Sequence, residues 1–360
     1  MKPKITYQIL LASTFFAICS MVLLFIFSED IIHHQNNFIR RFPNQVTKAH
    51  QIDLRFNSYY LAGTTGNKIY LGNYTAPLLI TVIDTALKTK KEFNANLSNI
   101  NYPFQSVQVR VVPPNFYVVD GTVPIIFKGK IKDWKASVKW HGSVLFSRFE
   151  LIDSLTIACR SIKNPSGESV LGTLYFGNPA VFNLNYKLLQ KQIDGIFDVD
   201  GTLQYDPQLK RLVYVYLYRN QFIVADKRLN LDYRGKTIDT VHRAQIEVAY
   251  LANTQEKKLA APPLIVNKIS AVYKNLLFVN SGLPGRYEDD KMWKEASIID
   301  VYDLNDKSYI SSFYIYDISN KKLKSFFVRD NHLYGFVGQY LVDYKFTKLI
   351  TDNYSLNKTL

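Results

Sequence analysis

After residue 28 the chain never sustains a helical apolar period, and this constrains its fold more than any motif does. Short runs rich in Val, Ile, Tyr and Phe recur instead, among them SYYLAG (58–63), KIYLGNY (68–74), PLLITVID (77–84), NFYVVDG (115–121), RLVYVYLYRN (211–220), NLLFVN (275–280) and HLYGFVG (332–338). Such runs, bounded by turn residues, read as β-strands. The segments between them, TTGN, DGT, NPSG, DPQ, DISN and RDN, are turn signals. The best helical candidate, WKEASIIDVYDL, breaks into alternation. The expectation is an all-β chain.

Certain runs echo one another. IYLGN at 69–73 is matched by LYFGN at 174–178, and VVDGTVPI at 118–125 by DVDGTLQY at 198–205. IIDVYDLNDKSYISSF (298–313) and FYIYDISNKKLKSFFV (313–328) share a cadence of apolar pair, aromatic, Asp, turn, Lys and new strand. That cadence fits the four-stranded blades of a β-propeller, and the ~310 residues available give six or seven blades at about 40–50 each. In this cadence, and in segments such as LVYVYLYRNQFIVAD, residues 51–346 resemble the divergent TolB-like six-bladed β-propellers that bacteria export into the envelope. The resemblance implies a propeller and an interaction scaffold, and brings no catalytic residue with it.

The N-terminus carries a different signal. Residues 7–27, YQILLASTFFAICSMVLLFIF, hold no charge over 21 positions. That is long enough to cross the ~30 Å hydrocarbon core of a bilayer. A cleaved signal peptide would have a shorter apolar run and small residues at its cleavage site, whereas FSEDII follows here. Lys2 and Lys4 precede the span and Glu29 and Asp30 follow it, which places the N-terminus in the cytoplasm and the rest outside. The expected organisation is a cytoplasmic tip and transmembrane anchor at 1–28, a polar stalk at 29–50, a propeller at 51–350 and a tail at 351–360. In a bacterium this is a single-pass protein of the inner membrane with a periplasmic domain.

Composition narrows the chemistry. The two cysteines, Cys19 inside the span and Cys159 far beyond it, form no disulfide or thiolate metal site. The six histidines have no ligand spacing, and the adjacent His33 and His34 fall in the linker. No metal or cofactor is expected. The net charge of +14 is spread along the chain. Outside the membrane it favours an anionic polymer or lipid surface over nucleic acid.

IFDVDGTLQYD (196–206) spells the nucleophile motif of haloacid-dehalogenase-type phosphatases, with Asp198 as nucleophile, Asp200 as acid/base and Thr202 on the phosphoryl oxygens. That chemistry needs a helix after the motif, but YDPQLKRLVYVYLYRNQF gives a turn and another β-rich run. A second DGT at 120–122 has Val118 where the nucleophile belongs. The motif therefore reads as a turn, with Gly201 at positive φ and Asp200 bonding the turn backbone.

Long loops are where binding groups gather. The longest turn-rich insertion of the second half, SGLPGRYEDDKMW (281–293), nominates Arg286, Glu288, Asp289, Asp290 and Trp293 as binding candidates. Tyr214, Tyr216 and Tyr218 before Arg219 form either a stacking platform or a strand face packed on a neighbouring blade. The segment IKDWKASVKWH (131–141) reads as a polymer-touching patch or as a lysine-guarded edge strand. The leading expectation is a non-catalytic scaffold or sensor for an envelope protein partner. A sugar- or peptide-binding propeller, with Trp134, Trp140 and Trp293 as exposed reporters, and a propeller-based hydrolase or lyase are the alternatives.

Overall fold

The computed structural model describes residues 3–32, 36–43, 46–251 and 256–355. Its β-strands form six blades around a central channel. Blade 1 is built from Tyr59–Thr65, Lys68–Asn73, Leu79–Asp84 and Lys90–Asn94. Blade 2 comprises Val107–Val112, Asn115–Asp120, Ile125–Lys130 and Lys135–His141, with Asn96–Leu97 added in parallel outside the last. Blade 3 runs through Phe146–Leu151, Thr156–Lys163, Glu168–Tyr175 and Val181–Asn185. Blade 4 holds Gly201–Asp206, Arg211–Tyr216, Gln221–Asp226 and Leu231–Lys236. Blade 5 holds Asn267–Tyr273, Leu276–Ser281, Ala296–Asp303 and Ser308–Tyr316. Blade 6 takes Leu323–Arg329, His332–Val337 and Tyr340–Phe346 from the C-terminal end and its outermost strand, Val46–Asp53, from the N-terminal end. Antiparallel pairing of Val46–Asp53 with Tyr340–Phe346 closes the ring.

Period-two alternation explains why the blades stack. Leu212, Tyr214 and Tyr216 enter the core shared by blades 3 and 4, while Val213 and Val215 on the same strand enter the core shared by blades 4 and 5. Phe116 and Val118 likewise face blade 1, and Tyr117 and Val119 face blade 3. Successive side chains on a strand point to opposite faces, so a strand sandwiched between two blades must be apolar on both. Each of the six large apolar clusters lies between one pair of neighbouring blades. This circuit settles the blade number at six. Outermost strands such as Lys90–Asn94 face water and are polar, whereas that of blade 5, Ser308–Tyr316, is half buried.

The sequence echoes are not equivalent positions in this frame. IYLGN lies in the second strand of blade 1, and LYFGN begins in the third strand of blade 3. VVDGT ends the second strand of blade 2, whereas DVDGT leads into the first strand of blade 4. What repeats is the chemistry of an antiparallel connection. An aspartate at or near the end of a strand accepts the amides of the following turn, as Asp206 does from Gln208 (2.8 Å) and Leu209 (2.7 Å), and Asp303 from Asn305 (2.7 Å) and Asp306 (3.1 Å).

At the N-terminus a helix spans Pro3–Ile32. Its stretch Tyr7–Leu24 has mean hydropathy 1.9, is long and apolar enough to cross a membrane, and is not buried inside the protein. The expected stalk is only partly free. His33 and His34 lie outside the described residues, but Phe38 and Arg40 are buried against blade 5 and residues 46–50 belong to the closing strand. Polar composition suggested a spacer, yet the apolar Phe38 and the guanidinium of Arg40 both found partners in the propeller.

Candidate functional site

Antiparallel order gives the propeller two distinct ends. The face where each innermost strand begins also carries the connections from second to third strands and from one blade to the next. There the channel opens in a cavity of about 500 Å³. Its walls come from the starts of innermost strands in five blades, including Tyr59, Tyr60, Arg148, Thr202, Lys268 and Lys324, with Tyr74 and Leu217 from second-to-third connections. No single stretch of sequence builds this mouth; ring closure does.

Its electrostatics are lopsided. Arg148, Lys268 and Lys324 line the mouth against one acid, Asp200, and Asp200 is already ion-paired with Arg160. Lys324 Nζ donates to the Asn57 carbonyl at 2.7 Å and sits 5.7 Å from the Tyr74 ring. Burial, and then Lys322, depress the Lys268 ammonium below the usual lysine range, with Asp317 opposing; its Nζ lies 5.2 Å over the Trp293 ring. Arg148 is exposed and stands at φ 44°, a left-handed backbone that non-glycine residues adopt at a cost. Tyr60 and Tyr74 have ring centroids 4.5 Å apart, and the Tyr60 hydroxyl accepts the Val109 amide at 2.7 Å. The arrangement suits an anionic or hydrogen-bonding ligand with an apolar body. Among the described residues no group of three or more His, Cys, Asp or Glu gathers as a metal-ligand set.

The phosphatase-like stretch is structural. Asp198 accepts the amides of Ile193 (3.0 Å) and Gly195 (2.6 Å), together with those of Gln192 and Asp194. Burial pushes its carboxyl up, but those amides and Asp194 hold it below the usual carboxylate range. Thr202 Oγ1 bonds Ser270 Oγ at 2.6 Å, tying blade 4 to blade 5. Gly201 does not have the expected positive φ. It is glycine because an added Cβ would lie 2.3 Å from the Val215 carbonyl oxygen and 2.7 Å from the Tyr214 ring. Asp200 does bond the Gly201 amide (2.8 Å), but its charge is matched by Arg160.

The loop candidates do not converge on the mouth. Glu288 is buried and accepts Arg40 Nη1 at 2.6 Å, so it serves the linker. Asp289 caps the short helix Asp290–Glu295 by accepting the Lys291 amide at 2.6 Å, and Asp290 is exposed. The Arg286 amide donates to the Phe38 carbonyl at 2.9 Å. Trp293 comes nearest, through the Lys268 ammonium. Tyr214 and Tyr216 are packed edge to face at 5.5 Å and Arg219 lies 3.6 Å over Tyr216, all buried, which gives the packed-strand reading. Trp134 is buried against Phe116 and Phe93, so it is no exposed reporter. Lys135–His141 is no free edge at its start, where Asn96–Leu97 pairs outside it.

Neither the family models nor the curated proteins contain a match to this chain. Solved propeller structures do resemble it. A structural-genomics protein of unknown function from Bacteroides thetaiotaomicron aligns at TM-score 0.48 and 9% identity over 88% of this chain and 76% of its own. A putative TolB from Agrobacterium tumefaciens aligns at TM-score 0.40 and 7% identity over 86% and 99%. YCF48 bound to D1 peptide aligns at TM-score 0.40 and 9% identity over 80% and 77%. At such identities the likeness concerns fold, and the function must be argued from the site.

Sequence reasoning missed the mouth because its cations lie at 148, 268 and 324, equivalent only once the blades are in register. It also missed Arg40. The signal there was an arginine pair following the apolar Phe38 and Ile39 in an otherwise polar linker.

Proposed function

We propose that this chain is a single-pass, N-terminally anchored protein whose propeller lies outside the cytoplasmic membrane. It works as a non-catalytic interaction scaffold, and its channel mouth receives an anionic segment of an envelope protein partner. The observation that carries this reading is the mouth itself, where basic side chains from blades 3, 5 and 6 and three tyrosines of blade 1 meet one acid that is already neutralised. A carboxylate-bearing ligand entering there would gain charge-assisted hydrogen bonds in a partly dry setting. The uncharged span 7–27 and the lysines that precede it, Lys2 and Lys4, support the anchor and its orientation.

The test is cross-linking of the full-length protein in its native membranes, followed by affinity capture and mass spectrometry. A reproducible envelope protein should appear with the wild type and fall at least several-fold with Arg148→Glu plus Lys324→Glu. Capture of the same partner at equal yield by that variant, or of no partner by the wild type, would overturn the reading.

A further inference from the structure

We infer that the mouth face of the propeller lies against an anionic lipid surface, held there by a rim of exposed aromatics and by the tether that locks the linker to that same face. This rests on the anchored reading of the N-terminal helix, and it requires the anionic segment that enters the mouth to be a membrane-proximal one, presented at the bilayer surface.

The tether is the first observation. The helix ends at Ile32, and Asn36 is already fixed to the propeller, its Nδ2 donating to the Pro284 carbonyl at 2.8 Å. Pro284 belongs to the second-to-third connection of blade 5, on the mouth face. Four Cα steps reach at most ~15 Å. The next links are strong: Arg286 donates its amide to the Phe38 carbonyl at 2.9 Å, and Arg40 is gripped by Asp300 at 2.6 Å and by Glu288 at 2.6 Å. A helix in the bilayer therefore delivers the chain to this end of the propeller and not to the other.

The second observation is independent of the tether. Among the described residues of the propeller, seven aromatic side chains are exposed. Phe56, Tyr74, Tyr186, Tyr250, Tyr287 and Tyr316 all lie on the mouth-face connections or the strand ends feeding them, and only Tyr175 sits at the opposite end. Tyr250 is carried by the hairpin of Val248–Leu251 and Glu256–Leu259, which projects from the connection between blades 4 and 5. Tyrosine and phenylalanine rings of this kind partition to the headgroup level of a bilayer. Basic side chains occur at both ends, so charge does not choose the face. It does choose the lipid: Arg55, Lys187, Lys321 and Lys322 on the rim, within a chain of net charge +14, favour an anionic leaflet over a neutral one.

The experiment is hydrogen–deuterium exchange of the full-length protein in detergent, in phosphatidylcholine nanodiscs and in nanodiscs containing phosphatidylglycerol. Exchange at 54–58, 74–78, 186–196, 285–295 and 317–322 should slow by about fivefold or more in the anionic discs, and recover in high salt. The opposite-face turns at 85–89, 131–134, 207–210 and 304–307 should exchange alike in all three. Phe56→Ser with Tyr250→Ser, at two exposed rim positions outside the mouth, should weaken the protection while leaving the melting temperature unchanged. Equal exchange at the rim in every medium, protection at the opposite face, or salt-insensitive protection equal in both lipids would overturn the inference. An alkaline carbonate wash separates the two failures. Protein released by the wash refutes the anchor, whereas protein retained with an unprotected rim refutes the orientation alone.

Discussion

Arg40 shows how much one linker side chain can hold. Its guanidinium donates to Asp300, Glu288, Ser281 Oγ and the Leu283 carbonyl with no exposure of the side chain. Burial opposes its charge, but Asp300 and Glu288 raise its pKa beyond the ordinary arginine value. Arg40→Met would leave two buried carboxylates uncompensated, a loss of about 3–5 kcal/mol. Thermal melting should register it, and exchange at 36–43 should rise together with the loss. Asp198 offers a contrasting case with a pH signature. Its folded carboxyl is held below the usual value, so the stability it contributes is complete above the unfolded carboxylate range near ~4 and disappears as pH falls through the lower folded value. Asp198→Asn should cost about 1–3 kcal/mol at neutral pH. The gap between variant and wild type should narrow in acid, as melting curves across pH would reveal. A gap constant down to strongly acidic pH would contradict this account.

At the scale of elements, the ring depends on a strand from the far end of the chain. Removing Val46–Asp53 leaves Tyr340–Phe346 as a bare edge, with Val342 and Tyr344 already committed to the core between blades 5 and 6. Such an edge invites pairing with another chain. The deletion variant, with anchor and linker retained, should lose cooperative melting and elute as oligomers on size-exclusion chromatography. A monomer with the wild-type melting temperature would show that closure carries no stability. The strands were legible in sequence because their apolar runs are continuous where both faces are buried, as in LLFVN and SIIDVYD. The blade register was not legible. An aspartate closes strands of different rank, Asp206 a first, Asp120 a second and Asp303 a third, and IYLGN and LYFGN likewise look alike while sitting on different strands. Gly201 was read as a positive-φ turn for the same reason: sequence displays a glycine next to Asp, while the Val215 carbonyl that requires it arrives from a neighbouring strand. The mouth cations remained hidden because proximity at the axis is a property of the closed ring.

For the whole molecule, the proposed anchor and the charges that flank it make a topological prediction. In spheroplasts an external protease should digest the propeller and leave a small membrane-bound fragment, while inside-out vesicles should protect it. The reverse pattern would place the domain in the cytoplasm. The path of the linker has a mechanical corollary. From Pro284 it runs to Ser312, midway along the outer strand of blade 5, where the Arg41 carbonyl accepts the Ser312 amide at 2.8 Å, and only later does the chain enter the closing strand. If the N-terminal helix is held in a bilayer as proposed, any pull between it and the propeller would therefore load the Arg40 contacts before it reached Val46–Asp53. The buried arginine acts as a strain relief, like the clamp that keeps tension on a cable from reaching its plug.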